Sequence, residues 1–424
     1  MLEKKKLRDI AESISGIRPE NRSLEGIVNF IEEKAEITYE KEPRTFLGRL
    51  RELGYALNGV RPTQRSLRGI VNNIYENFSP VPSEKIYGVR GMSDFNTVLT
   101  RTDDAVGMTW QKNLDGTITS DFDNVFPFNE MKDIAIPNVN GEDNVFVEIP
   151  SMWFRVGTDN DKNITDIAVS KEKGKGDNWY QTKKFYYGKY CGFANPGHQI
   201  VFSSTMNTPT KQILVLNARK WCANNGVGYQ MLDLYHRTII NFLFLIEFAN
   251  KNCKSLFPMT FDSLQDCGGT DNIETPSGVL ENGRLKWHGI EDLFGNVREY
   301  IEGIRGNYYA TANASDFGND ISKYSKLSYE PSMIGANLTI CSFGWDKNNP
   351  FLCMPKSLSQ YYLDNYFTQI ASPTDNTNYY YDCGNDYSDN VVKGDALLTI
   401  KNTDQSIMAS QDIDVRLLYC PNGV

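Results

Sequence analysis

The chain has 424 residues and a formal charge of −9, from 44 basic and 53 acidic residues. That balance argues against a general nucleic-acid or anionic-membrane binder, because both need clustered Lys and Arg. Its 23 Tyr and 22 Phe supply a large core and leave Tyr for the surface, and the length accommodates two or three domains at roughly 100–200 residues each. The opening MLEKKKLRD lacks the apolar stretch of a secretory signal. The longest apolar run, Ile239–Phe248, is interrupted by Asn241 and Glu247 and falls far below the roughly 20 residues that span a bilayer. The expectation is a soluble protein made in a cytoplasm, with no membrane insertion.

Residues 1–77 read as two copies of one helical hairpin. LRDIAESISGIRPENRSLEGIVNFI (Leu7–Ile31) recurs at Leu50–Ile74, an offset of 43, with 13 of 25 positions identical. Each copy has an apolar-periodic helix, a Gly-Ile/Val-Arg-Pro exit, and a Ser (Ser23, Ser66) that starts a second helix. Two copies fall short of the three or so that a self-supporting solenoid needs, so they should pair with each other or with other subunits. Arg18, Arg22, Arg61 and Arg65 recur in both; they are either solvated turn charges or a docking or cell-wall-binding surface. FSPVPSE (Phe78–Glu84) is rich in Pro and Ser, and residues 78–85 read as a linker.

The remainder, 86–424, reads as one unit. Val145–Val156 is an alternating strand passing through a Pro step. Thr208–Asn224 carries an apolar helical stripe, and Met231–Asn250 is apolar almost all round, as expected of a buried central helix. His236 at its head reads as a cap or core residue rather than a ligand. Trp287–Ile304 opens with Trp-His-Gly, turns at Gly295–Asn296, then places Val297, Glu299 and Ile301 opposite Arg298, Tyr300 and Glu302, the pattern of a half-buried strand. Asp103, Asp104, Asp121 and Asp123 lack the compact loop that calcium requires, and turn and cap roles are expected of them. The eight Cys form no CxxC pair and the three His are scattered, so buried thiols rather than a zinc site are expected. No catalytic residue, metal or cofactor is expected.

Several runs, taken in order, resemble the C-type-lectin-like fold shared by formylglycine-generating enzymes, variable proteins of diversity-generating retroelements, and many phage tail and fibre proteins. They are IYGVRGMSDFNTVLTRTDDAVGMTW (Ile86–Trp110), VFVEIPSMWFRV (Val145–Val156), GVGYQMLDLY (Gly226–Tyr235), WHGIEDLFGNVREYIEGI (Trp287–Ile304), PFLCMPKSLSQYYLDNYF (Pro350–Phe367) and DVRLLYCP (Asp414–Pro421). Arg298 stands where that family has an aromatic; if it faced inward it would need a carboxylate such as Glu247 or Asp292, and a surface position is expected instead. The resemblance implies an α+β fold, a C-type-lectin-like domain preceded by a small all-α repeat domain. It also implies a ligand face in the last strands and loops, on Tyr379, Tyr380, Tyr381, Asn385, Asp386 and Tyr387, with Tyr361, Tyr362 and Tyr366 beside them. Tyr with Asn, Ser and Asp is the composition of recognition loops; the alternative is that every other one of these residues packs inward.

The function expected from this resemblance is a phage fibre or tail adhesin on a virion. It would be a homotrimer that docks to other virion proteins through the repeats and binds a glycan or protein on the bacterial surface, with no nucleic acid involved. The alternatives are a decoration or head fibre without a receptor and, less favoured, a formylglycine-type oxidase working through Cys341 and Cys353.

Overall fold

The computed structural model describes all residues except 1, 16–18, 20–22, 36, 38–44, 59–60, 78–84, 95–97, 175, 253–255, 259–262, 306–308, 319–320, 331–338, 360–378, 384–399, 405–412 and 424. It combines helices with many strands, an α+β chain. Two units separate, Met1–Lys85 and Ile86–Val424.

The first unit is four helices: α1 (Leu2–Ser15), α2 (Leu24–Lys34), α3 (Phe46–Asn58) and α4 (Leu67–Asn77). The Ser23 hydroxyl accepts from Gly26 N at 2.9 Å and Ser66 does the same for Gly69 N at 3.1 Å. Each hydroxyl satisfies an N–H that the first helical turn leaves without a partner. The two hairpins share one core, and the repeat is visible in it: Leu7 and Leu50, Ile10 and Leu53, Ile27 and Ile70, Val28 and Val71, Ile31 and Ile74 are all buried. Arg49 joins Glu32 across the hairpins and Lys6 donates to Asn72 at 3.0 Å. Of the recurring arginines, Arg61 and Arg65 are exposed, and Arg61 pairs with Glu52; Arg18 and Arg22 lie outside the described residues.

The second unit is organised around α6 (Leu234–Phe248), every residue of which is buried. Asp233 caps it by accepting from His236 N at 2.9 Å, and the left-handed Ala249 (φ 49°) ends it. Its Phe242 and Phe244 meet aromatic edges from several directions, among them Phe154 at 5.8 Å and Trp287 at 5.7 Å. Each such ring, taken out of water, contributes on the order of 1.5–3 kcal/mol. Around the helix lie four larger sheets. One runs Thr100–Asp103, Tyr87–Arg90, Ile164–Ser170, Met152–Thr158, Trp179–Thr182. A second runs Tyr229–Met231, Leu417–Tyr419, Phe185–Gly188, Asp143–Ile149, Lys132–Pro137. The third runs Ile290–Glu291, Leu285–Trp287, Ser277–Val279, Thr117–Ser120, Trp110–Lys112, and the fourth Ile400–Asp404, Tyr379–Cys383, Arg298–Ile301, Ile413–Asp414.

Three local expectations need correction. The helix expected over Thr208–Asn224 is only α5, Val215–Ala223. Gln212 sits at φ 60°, which breaks a right-handed helix, and Leu214 is extended. Met231 belongs to a strand paired with Leu417, so the central helix starts three residues later than its apolar pattern suggests. The strand Arg298–Ile301 is buried on both faces rather than one. Glu299, directed to the inside, is neutralised by Arg416 at 2.5 Å, and the Tyr300 hydroxyl donates to Ile213 O at 2.9 Å. Arg298 is half-buried, while Glu247 and Asp292 are engaged by Trp287 and Arg284 respectively.

A buried ionic layer ties the strands together. Arg416, with no exposed surface, donates to Glu299, to Gly188 O and Lys189 O at 2.9 and 3.2 Å, and to Glu291 O and Asp292 O at 3.1 and 3.0 Å. Arg284 binds Asp292 at 2.7 Å and Glu291 at 2.9 Å. Asp414, paired in register beside Glu299, is buried with neither carboxylate oxygen hydrogen-bonded. Burial and the Glu299 charge hold its carboxyl well above the usual carboxylate range.

Candidate functional site

An open surface cleft of about 510 Å³ lies beside the N-terminus of α6, within the size range of ligand sites. Tyr235 and Leu352 form its apolar side, and Asn313, Ser325, Asn348 and Asn349 its polar side. Two short turns place the amides. Asn313 accepts from Ser315 N at 3.3 Å and donates to Asp316 at 2.9 Å. Asp346, almost fully buried, accepts from Asn348 N, Asn349 Nδ2 and Ser328 N at 2.9–3.0 Å. Burial raises the Asp346 pKa, but these donors outweigh it and hold the carboxyl below its ordinary value. Asn313, Ser325 and Asn348 remain exposed. The cleft therefore offers hydroxyl and amide groups over an aromatic and aliphatic floor, which suits hydroxyl-rich or peptide-like ligands.

Below the cleft, Asp233, His236 and Cys420 form a relay. His236 Nδ1 lies 2.7 Å from Asp233 Oδ2, and its Nε2 lies 3.5 Å from the Cys420 sulfur. Burial alone would lower the imidazole pKa; Asp233 and Cys420 overcome it and push it up to about 10. This is an order of groups seen in thiol nucleophiles, yet Cys420 is only 4 % exposed, and a buried sulfur cannot meet a substrate. The relay clamps the strand Leu417–Tyr419 onto the first turn of α6.

A third cluster joins Asp123, Glu247 and His288, whose ligand atoms lie within 4.8 Å of one another. His288 Nε2 is 2.9 Å from Glu247 Oε2 and 4.0 Å from Asp123 Oδ1. Trp287 Nε1 donates to Glu247 Oε2 at 2.7 Å. Burial raises Glu247, but His288 and its donors hold it below its ordinary value; burial also raises Asp123, against the opposing pull of His288.

Of the contact residues expected from the sequence, Tyr379, Tyr380 and Tyr381 fall on the strand Tyr379–Cys383, which pairs with Arg298–Ile301 on one side and Ile400–Asp404 on the other; their side chains are outside the described set. Asn385, Asp386, Tyr387, Tyr361, Tyr362 and Tyr366 also lie outside the described residues. Asp103, Asp104 and Asp121 do not converge: Asp103 pairs with Arg155, Asp104 accepts from Ile86 N, and Asp121 from Thr109 N. Six cysteines, among them Cys353, are buried; Cys253 and the Cys341 side chain are outside the described set.

Compared with known protein-family models and with curated proteins, the chain matches none. No described helix is long and apolar enough to cross a membrane.

The sequence reading missed the cleft, the relay and the Asp123 cluster. Asp233 three residues before His236 carried a readable signal, a helix N-cap. The remaining partners are far apart in the chain, 184 residues between His236 and Cys420 and 41 between Glu247 and His288, and no local pattern links them.

Proposed function

We propose that this chain is a receptor-binding fibre or tail protein of a phage virion, whose C-type-lectin-like second unit holds a glycan or protein of the bacterial surface in the cleft between Asn313, Asn348 and Tyr235. The observation that carries the reading is the cleft itself, open to solvent, lined by exposed amides and hydroxyls, and set on turns pinned by a buried carboxylate. The ordered series of lectin-like runs in the sequence supports the same reading. Binding is favoured over thiol chemistry because burial pushes the Cys353 thiol far above its ordinary range, so little nucleophilic thiolate is present at neutral pH. In this reading the helical repeats dock to other virion proteins and the fibre is a homotrimer, which the solution mass of the intact chain tests directly.

The decisive experiment is binding of the labelled intact chain to a panel of bacterial cells, alongside the variants Asn348→Ala and Ser325→Ala. Saturable binding to one host, reduced by about tenfold or more in a variant with unchanged melting temperature, is the expected result; tenfold corresponds to about 1.4 kcal/mol. Equal binding by parent and variants would remove the cleft from the reading.

A further inference from the structure

The Trp-His-Gly step at residues 287–289 has a chemical reading that the adhesin proposal does not use. Glu247 sits in the last turn of α6 with no exposed surface. Its Oε2 takes the Trp287 indole N–H, and its Oε1 has no hydrogen-bond partner. Asp123, at the 3-10 turn Asp121–Asn124, has the same asymmetry: Oδ2 accepts from Ser120 N at 3.1 Å and Oδ1 has no partner. Arg101, the nearby cation, is committed to the backbone carbonyls of Ile246 and Glu247 at 2.7 and 2.5 Å. An unpaired carboxylate oxygen in a dry interior is costly; here one of them, Asp123 Oδ1, lies 4.0 Å from His288 Nε2, and the other, Glu247 Oε1, belongs to the carboxylate whose Oε2 is 2.9 Å from the same nitrogen.

We propose that Asp123, Glu247 and His288 are the protein ligands of a divalent transition-metal ion of the zinc class. Imidazole with two carboxylates is a donor set that such ions accept. Metal–ligand bonds of about 2.0–2.2 Å in a tetrahedral site place two ligand atoms on one ion roughly 3.3–3.6 Å apart. The separations of 2.9 and 4.0 Å from His288 Nε2 lie on either side of that range, within about half an ångström of it. The remaining pair lies within 4.8 Å and closes with side-chain movement of about 1.2 Å or less. Ser120 N holds the other oxygen of Asp123, as outer partners of metal ligands do, and Trp287 Nε1 fixes the Glu247 carboxylate through Oε2. Glu247 and His288 are sealed in, whereas the Asp123 side chain keeps 16 % of its surface exposed, which gives the ion an entry and room for water. The ion would pin α6, the Asp121–Asn124 turn and the Leu285–Trp287 hairpin to one point.

The test uses the full chain, stripped with a chelator and titrated with Zn²⁺ by calorimetry, with Co²⁺ as a spectroscopic substitute. One ion per chain is expected, with a Co²⁺ visible spectrum free of thiolate charge-transfer bands and a melting temperature that rises on loading. Asp123→Asn, which preserves shape, should weaken binding by at least about tenfold, and His288→Gln should do the same. Asp121→Asn, a neighbouring carboxylate outside the set, should leave affinity unchanged. Absence of binding to the parent chain, a thiolate spectrum, or affinity unchanged in both Asp123→Asn and His288→Gln would each overturn the assignment.

Discussion

Replacing Arg416 by Met keeps an unbranched, somewhat shorter side chain and removes its charge. In the parent protein the guanidinium meets Glu299 at 2.5 Å and four backbone carbonyls at 2.9–3.2 Å, with no exposed surface. Deleting one partner of a buried pair leaves an uncompensated charge and costs about 3–5 kcal/mol. Arg237 Nη1, 3.5 Å from the other Glu299 oxygen, relieves part of that charge. The loss of four carbonyl partners acts the other way, because buried acceptors are left dry. The expected destabilisation is therefore about 3–5 kcal/mol. Arg416→Lys should recover little, since a point charge cannot serve five acceptors spread around a planar fork. Glu299→Gln should be milder in the Arg416→Met background than alone, with a coupling energy of about 1–3 kcal/mol. Guanidinium unfolding of the intact chain, followed by tryptophan fluorescence, isolates the relevant unit because all six Trp lie between residues 110 and 345. A loss below about 1 kcal/mol, or strictly additive variants, would refute the claim that this guanidinium is the electrostatic centre of the unit.

Two further predictions follow from burial. Because the folded-state pKa of Asp414 is raised, the native state binds a proton that the unfolded chain has released. Stability from this group is thus full below about pH 3.9 and declines, by at most about 1.4 kcal/mol per pH unit, as pH rises toward the folded pKa. Asp414→Asn should be more stable than the parent at pH 7 and show a flatter stability profile from pH 5 to 8; parallel profiles would contradict this. In the helical unit, Ile74→Ala empties a fully buried site and should cost about 2–4 kcal/mol. Its effect should appear in the far-ultraviolet helix signal and leave the tryptophan transition in place, since residues 1–85 contain no Trp; an unshifted helix transition would count against the shared core.

What the sequence made legible was what depends on near neighbours. The 43-residue repeat reappears as matched core positions such as Ile31 and Ile74, because an amphipathic helix writes its buried face into its own spacing. The all-round apolar character of α6 likewise predicted its burial. Boundaries failed where a distant strand intervened: Met231 has helical neighbours in its pattern but is claimed by Leu417. Glu299 read as an ordinary strand residue because its counter-charge is 117 residues away. The Asp123 cluster was invisible for the same reason, its members belonging to a turn, a helix and a hairpin, each locally unremarkable.

The place of Leu417–Tyr419 between Tyr229–Met231 and Phe185–Gly188 sets a timetable for biosynthesis. Arg416 is 228 residues from the Gly188 carbonyl it binds. At roughly 5–20 residues per second, the strands Phe185–Gly188 and Tyr229–Met231 wait about 10–50 s after emerging from a ribosome before their shared neighbour exists. During that interval they present an unpaired, apolar edge, the form of chain most prone to mispairing. The helical unit, in which Lys6 and Asn72 are 66 residues apart, is under a much shorter delay. Yield of the intact protein should therefore depend on translation speed and holding chaperones acting on the second unit.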